Sequence, residues 1–291
     1  MRLGLFLGCS VPVRAQNYEV SVRRVAPRLG IELEDLEGAA CCGYPVQSVS
    51  RETALVMATR NLALASRRGL DLCVLCSACG GSLMEAAAEL EGDEDLRART
   101  NRHLEPEGLS YPGGVKVVHI AEVLAHRVGA ARIRDAVERP LEGLRIAVHY
   151  GCHYLRPRET HPAGEDPEAP GSIDELVEAT GARSVDYPGR LACCGGGILG
   201  IHEETALAIT RVKLDAVAGA GVDAMVVVCP FCSVMLEGNQ KRIEKAAGRE
   251  YKLPVLYYPQ LLGLALGFGA KELGLQLNRI KAKELIARVG A

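Results

Sequence analysis

The chain has 291 residues, enough for one large or two ordinary domains with cores of their own, and 48% of them are hydrophobic, which excludes a disordered chain. Lys and Arg (34) nearly balance Asp and Glu (36), so the net charge of −2 gives no long-range pull toward nucleic acid or anionic membranes. Eleven cysteines remain to be explained; a reducing cytosol disfavours structural disulfides and points to metal ligation.

Met1-Arg2 leads directly into the apolar run Leu3 to Gly8, which reads as a buried strand ending at Cys9. No basic leader with a cleavage site is seen there, so a cytoplasmic location is expected. A helix around Glu19 to Leu29 and a short segment follow, leading to Ala40-Cys41-Cys42-Gly43. A longer helix, Glu52 to Arg68, is closed by Gly69. Next come a strand, Leu72 to Leu75, the motif Cys76-Ser77-Ala78-Cys79 with a helix after it, and a late strand, Val115 to Val118.

A charged stretch from Arg132 to Leu144 then opens a second copy of the same order. Arg145 to Tyr150 is the strand before Gly151-Cys152, a helix near Ile173 to Thr180 leads to Ala192-Cys193-Cys194-Gly195, and the long helix is Glu203 to Ala218. Ala224 to Val228 runs into Cys229-Pro230-Phe231-Cys232, and Leu253 to Tyr257 is the late strand. The intervals between the Cys-Cys pair and the CxxC are almost equal in the two copies, which an internal duplication explains. The excess length of the second copy falls in the proline-rich, acidic stretch Arg156 to Gly171, the composition of a surface insertion.

Residues 1–140 and 141–291 are therefore expected to be two pseudo-symmetric α/β domains, each a small, mainly parallel sheet flanked by helices, the second carrying a helical tail. The cysteines are expected at strand ends, where a sheet edge leaves room for a cofactor. The apolar run Leu261 to Phe268 is about half of what a spanning helix needs, so any membrane contact is peripheral or through a partner.

A CxxC brings two thiolates to one metal centre. Adjacent cysteines diverge and reach two irons of one cluster more readily than one mononuclear ion. Five cysteines per half exceed the four thiolates of tetrahedral zinc or an ordinary cubane cluster, so one bridges or one is spare. Softness alone does not choose between zinc and iron–sulfur, because both accept thiolates.

These residues resemble the catalytic B subunit of heterodisulfide reductase, a family with two cysteine-rich CCG domains that also includes the reductase-like B subunits of sulfur oxidisers. The resemblance covers nearly the whole chain. It is carried by Gly8-Cys9, Cys41-Cys42-Gly43, Cys76-Ser77-Ala78-Cys79, Gly151-Cys152-His153, Cys193-Cys194-Gly195-Gly196-Gly197, Cys229-Pro230-Phe231-Cys232 and the tail Gln260 to Gly267.

The resemblance implies two [4Fe-4S] clusters of noncubane type, one held by Cys9, Cys41, Cys42, Cys76 and Cys79 and one by Cys152, Cys193, Cys194, Cys229 and Cys232. It further implies a ferredoxin-like iron–sulfur C subunit and a flavoprotein A subunit as partners, with a disulfide reduced, or thiols oxidised, at the clusters. The alternative is a CCG electron-transfer subunit of a succinate/fumarate or hydroxyacid oxidoreductase feeding quinone. An open cavity between the clusters would favour the first reading, and closed clusters beside a membrane-facing tail the second.

Cys73 is left over and reads as a small buried hydrophobe within its strand. His153 and His202, near proposed ligands, are candidate proton donors to a thiolate product, with helix capping or solvation as the plainer account of each. His149 reads as a satisfied core residue and His119 as a helix cap. Gly195-Gly196-Gly197 lacks a phosphate-loop lysine and reads as close approach of backbone to a cluster. Arg156 and Arg158 are candidates to attract an anion, with a solvated loop as the alternative.

Overall fold

The computed structural model describes residues 1–156 and 165–291. The first half runs β1 (Arg2–Phe6), α1 (Gln16–Arg28), β2 (Glu32–Asp35), α2 (Arg51–Arg67), β3 (Leu72–Val74), α3 (Ser77–Gly92) and β4 (Val117–His119). The second repeats it with β5 (Arg145–His149), α4 (Ser172–Ala179), β6 (Arg183–Val185), α5 (Glu203–Gly219), β7 (Ala224–Val227) and β8 (Val255–Tyr257), followed by α6 (Tyr258–Ala265). Each half forms a four-stranded, wholly parallel sheet, ordered β2-β1-β3-β4 and β6-β5-β7-β8. The α/β expectation, two related halves with parallel sheets, is met.

Buried parallel strands are covered on both faces and read as continuous apolar runs, which is why β1, β3, β5 and β7 stand out in the sequence. The edge strands β2 and β6 do not. Glu32-Leu33-Glu34-Asp35 and Arg183-Ser184-Val185 carry charge and are only partly buried, as edges that must avoid further pairing often are.

Strand order positions the cysteines. In each sheet the winding reverses between the first and third strands in sequence, so the loops leaving their carboxyl ends diverge and open a crevice. Cys9 follows β1 and Cys76 follows β3, while Cys152 follows β5 and Cys229 follows β7.

The two halves are sewn together at the core. Tyr18 on α1 stacks on Tyr257, with ring centroids 4.1 Å apart and planes 8° from parallel. Its hydroxyl donates to the carbonyl of Val228, next to Cys229, at 3.2 Å. The tail packs inward: all of α6 is buried, and α6 lies against α1. Asn278 joins the seam by accepting from Asn17 and Gln260, each at 2.9 Å. No helix among the described residues is long and apolar enough to cross a membrane.

Glu237 is buried near this tail, and its carboxylate accepts from the Ile280 N–H at 3.3 Å. Burial pushes its carboxyl up to about 7. The unfolded carboxyl releases its proton near 4.5 and the folded one holds it to about 7, so native stability falls as pH rises through that window. Glu237→Gln is therefore expected to gain about 1–3 kcal/mol at pH 8 and little at pH 5 in thermal melts. An equal gain at both values would mean that the charge is not what costs stability.

Candidate metal centre

Both Cys-Cys loops turn on a glycine that no other residue replaces without strain. Gly43 and Gly195 each have φ +87°, and a Cβ on either would stand 2.6 Å from a helix carbonyl, that of Ala54 on α2 or Ala206 on α5. The preceding carbonyls are tied as well, Cys42 accepting from Ser82 Oγ at 2.9 Å and Cys194 from Thr210 Oγ1 at 2.8 Å. In the CxxC motifs, Cys76 is the N-cap of α3 and Cys229 that of the turn Pro230–Ser233, with Cys79 and Cys232 in the first turns. Helix N-termini favour the thiolate forms that metals bind.

These loops bring ten of the eleven thiols together. In the first half, contacts run from Cys9 to Cys41, Cys41 to Cys42, Cys42 to Cys79 and Cys79 to Cys76. In the second they run from Cys152 to Cys193, Cys193 to Cys194, Cys194 to Cys232 and Cys232 to Cys229. Cys76 and Cys229 meet each other and join the sets across the seam.

Sulfurs this crowded cannot all lose their protons at once, because neighbouring thiolates repel one another. Hydrogen bonding from Cys79 lowers the Cys42 thiol to about 7, and bonds from Cys152 and Cys194 hold Cys193 well below its usual value. Their partners Cys79 and Cys152 are pushed up. Thiolates poised beside thiols, largely buried apart from Cys9 and Cys193, suit a cationic iron–sulfur group that would replace the shared protons. Cys73 stands apart: it lies in β3 between Leu5 and Val118, fully buried, and burial raises its thiol to about 12.

A small cleft lies within the second set, lined by Cys152, Cys193, Cys194, Cys229 and Cys232. His153 reaches into it, and its Nε2 lies 3.0 Å from the hydroxyl of Tyr44, contributed by the first half. Phe231 closes the wall. His202 lies elsewhere: it is exposed and caps α5, its Nδ1 3.4 Å from the Thr205 N–H and 2.8 Å from Thr205 Oγ1. His119 caps a helical turn by accepting from the Ala121 N–H at 3.1 Å. His149 is buried, but it is not a bystander in the core, since its Nε2 is 3.3 Å from Cys232 Sγ.

Arg156 is exposed and pairs with Glu168 at 2.7 Å, and Arg158 lies outside the described residues. Gly196 and Gly197 line the cleft, so the glycine run does bring backbone close to the cysteines. Tyr44, Phe231 and the buried Lys213 were not legible as site residues. Lys213 alone left a signal, a cation on the otherwise uncharged buried face of α5 formed with Ala206, Thr210, Leu214 and Val217.

The cysteine-rich CCG domain family matches the chain twice, over residues 3–84 and 146–237. The B subunit of a ferredoxin/F(420)H(2)-dependent CoB-CoM heterodisulfide reductase from Methanosarcina acetivorans is 40% identical over 99% of this chain and 97% of its own. An 8-methylmenaquinol:fumarate reductase membrane anchor subunit of Wolinella succinogenes is 37% identical over 96% of this chain and 97% of its own. The crystal structure of a hypothetical protein from Helicobacter pylori superposes with a TM-score of 0.77 at 17% identity, covering 96% of this chain and 52% of that longer one, and so shares the fold.

Proposed function

The chain belongs to the CCG cysteine-rich family, among the B subunits of heterodisulfide reductases, oxidoreductase subunits that work within larger complexes, and on that premise we propose that it reduces a disulfide, or oxidises the corresponding thiols, at two noncubane [4Fe-4S] clusters. Cys9, Cys41, Cys42, Cys76 and Cys79 would hold one cluster, and Cys152, Cys193, Cys194, Cys229 and Cys232 the other. Bound there, the clusters supply single electrons and an iron able to take a substrate sulfur.

The observation that carries this reading is the convergence of the five thiols of the second set on one cleft, with the hydrogen-bonded pair His153 and Tyr44 placed at its edge, where a substrate sulfur would meet the bound centre. The buried tail argues the same way, since the apolar α6 packs into the core rather than being offered to a membrane. The cleft residues orient the disulfide, Phe231 and Tyr44 limit water, and His153 holds a proton for a departing sulfur. Two electrons and two protons turn one disulfide into two thiols.

The partners proposed are a ferredoxin-like iron–sulfur C subunit, which delivers electrons, and a flavoprotein A subunit that supplies it, in a cytoplasmic complex. Iron and acid-labile sulfide on anaerobically purified protein, with EPR after oxidation in the presence and absence of a thiol substrate, test the reading. About eight irons per chain and a signal altered by thiol are expected. Full iron with no thiol response would move the function to electron transfer alone, and zinc without sulfide would sink the cluster assignment.

A further inference from the structure

The two cysteine sets are near copies in their ligands but not in what stands behind them. Asn61 on α2 and Lys213 on α5 occupy matching places, each seven residues beyond the alanine whose carbonyl meets the CCG glycine. Asn61 is a neutral brace: its Oδ1 accepts from the Ala40 N–H at 2.9 Å, and its Nδ2 donates to the Cys41 carbonyl at 3.2 Å. Lys213 braces the opposite loop with a charge, its Nζ donating to the carbonyls of Gly189 at 2.7 Å and Arg190 at 3.2 Å.

Lys213 is 3% exposed and lies over the Tyr187 ring, 5.4 Å from the centroid. Among the described residues it forms no ion pair with a carboxylate. Burial disfavours its charge, and the ionisable groups that would offset this are Cys232, Cys194, Cys193 and Cys152, four of the five thiols of the second set. A buried cation without such a counter-charge is costly. The anionic centre that the second set would hold supplies the counter-charge.

The strand before each set differs in the same sense. Phe6 and Cys79 flank Gly8 in the first half. The matching residue in the second half is His149, two positions before Gly151, with Nε2 3.3 Å from Cys232 Sγ. A thiolate can only accept, so the imidazole donates to that sulfur when Cys232 is a ligand. Net charge and hydrogen bonds to ligating sulfurs are the levers that set iron–sulfur potentials, and a nearby cation or donor stabilises the reduced, more negative form.

We propose that Lys213, assisted by His149, sets the second centre at a higher reduction potential than the first, so that electrons entering the chain come to rest beside the cleft. This rests on the reading that each set holds an iron–sulfur centre. The cleft is lined by thiols of the second set and none of the first, so the centre that holds electrons more tightly is also the one that faces the disulfide. Contact between Cys76 and Cys229 gives the short route by which the first centre feeds it.

The test is an EPR-monitored redox titration of the anaerobically purified complex, with Cys194→Ser used to identify the second centre's signal by its loss. Lys213→Met should lower the ratio of reduced to oxidised second centre at fixed poise by about tenfold, a shift of about 59 mV for a one-electron couple, and leave the first centre unmoved. His149→Phe, which copies the first half, should shift the same couple in the same direction by a smaller factor. Unmoved midpoints in a Lys213→Met protein with full iron would overturn the proposal. If that variant loses iron, an unmoved midpoint in His149→Phe overturns it instead. Wild-type protein without iron would defeat the cluster reading itself, a result distinct from either.

Discussion

Replacing Cys194 with serine is expected to halve the iron of the anaerobically purified protein, from about eight to about four atoms per chain. Cys194 is buried, and its thiol lies between those of Cys193 and Cys232. Its own carbonyl is fixed by Thr210, so the side chain cannot swing away without breaking the CCG turn. A serine hydroxyl in its place is a poor substitute for a soft thiolate. The first set draws all its thiols from its own half and would keep its centre, and a labile-sulfide assay should fall in parallel. Cys73→Ala is the matched control. It removes a thiol wholly enclosed in β3, away from the crevice, and should leave iron at the wild-type level. A Cys194→Ser protein with full iron would sink the second ligand set, and a Cys73→Ala protein with half its iron would put the ligand register in the wrong place.

Much of this architecture was legible because its signals are local. The buried strands β1, β3, β5 and β7 are short apolar runs, each ending at a cysteine motif, and the repeated order exposes the duplication. What was not legible depends on partners distant in sequence. β2 is four residues of mostly acidic side chains, a strand only because β1 lies beside it. Tyr44 becomes part of the cleft only when the first half presents it to His153, and Phe231 only when its turn closes over the second set. His153 and His202 look alike in sequence, each a few residues from a proposed ligand, yet one faces the cleft and the other ends its reach at Thr205. His149 is the buried strand residue expected, but its partner could not be named from the sequence. An apolar strand predicted a satisfied core histidine, and the partner that satisfies it is a proposed ligand sulfur.

The difference between His153 and His202 gives the second large effect. His153→Gln is expected to lower kcat for disulfide reduction by about 10²–10⁴-fold while leaving iron content and KM nearly unchanged, because a positioned general acid acts in the transition state and not in binding. Scission of the disulfide would leave a sulfur that must be protonated, and His153, the candidate donor, lines the cleft next to Cys152 in the chain. Its Nε2 is held at 3.0 Å by the Tyr44 hydroxyl, and the rings meet edge to face with centroids 5.0 Å apart. Tyr44→Phe keeps the ring contact and removes only the hydrogen bond, so its cost should be nearer tenfold. His202→Gln should turn over at the wild-type rate and show its effect in stability instead, a loss of about 1 kcal/mol from a weakened cap on α5. Single-turnover reduction by a chemical donor separates the cases. If His153→Gln reacts at the wild-type rate with iron intact, no proton passes through this residue and the cleft is not where the disulfide is cleaved. If it reacts slowly and the deficit shrinks as pH is lowered, solvent is replacing the donor that was removed, and the chemistry belongs to the second set of cysteines.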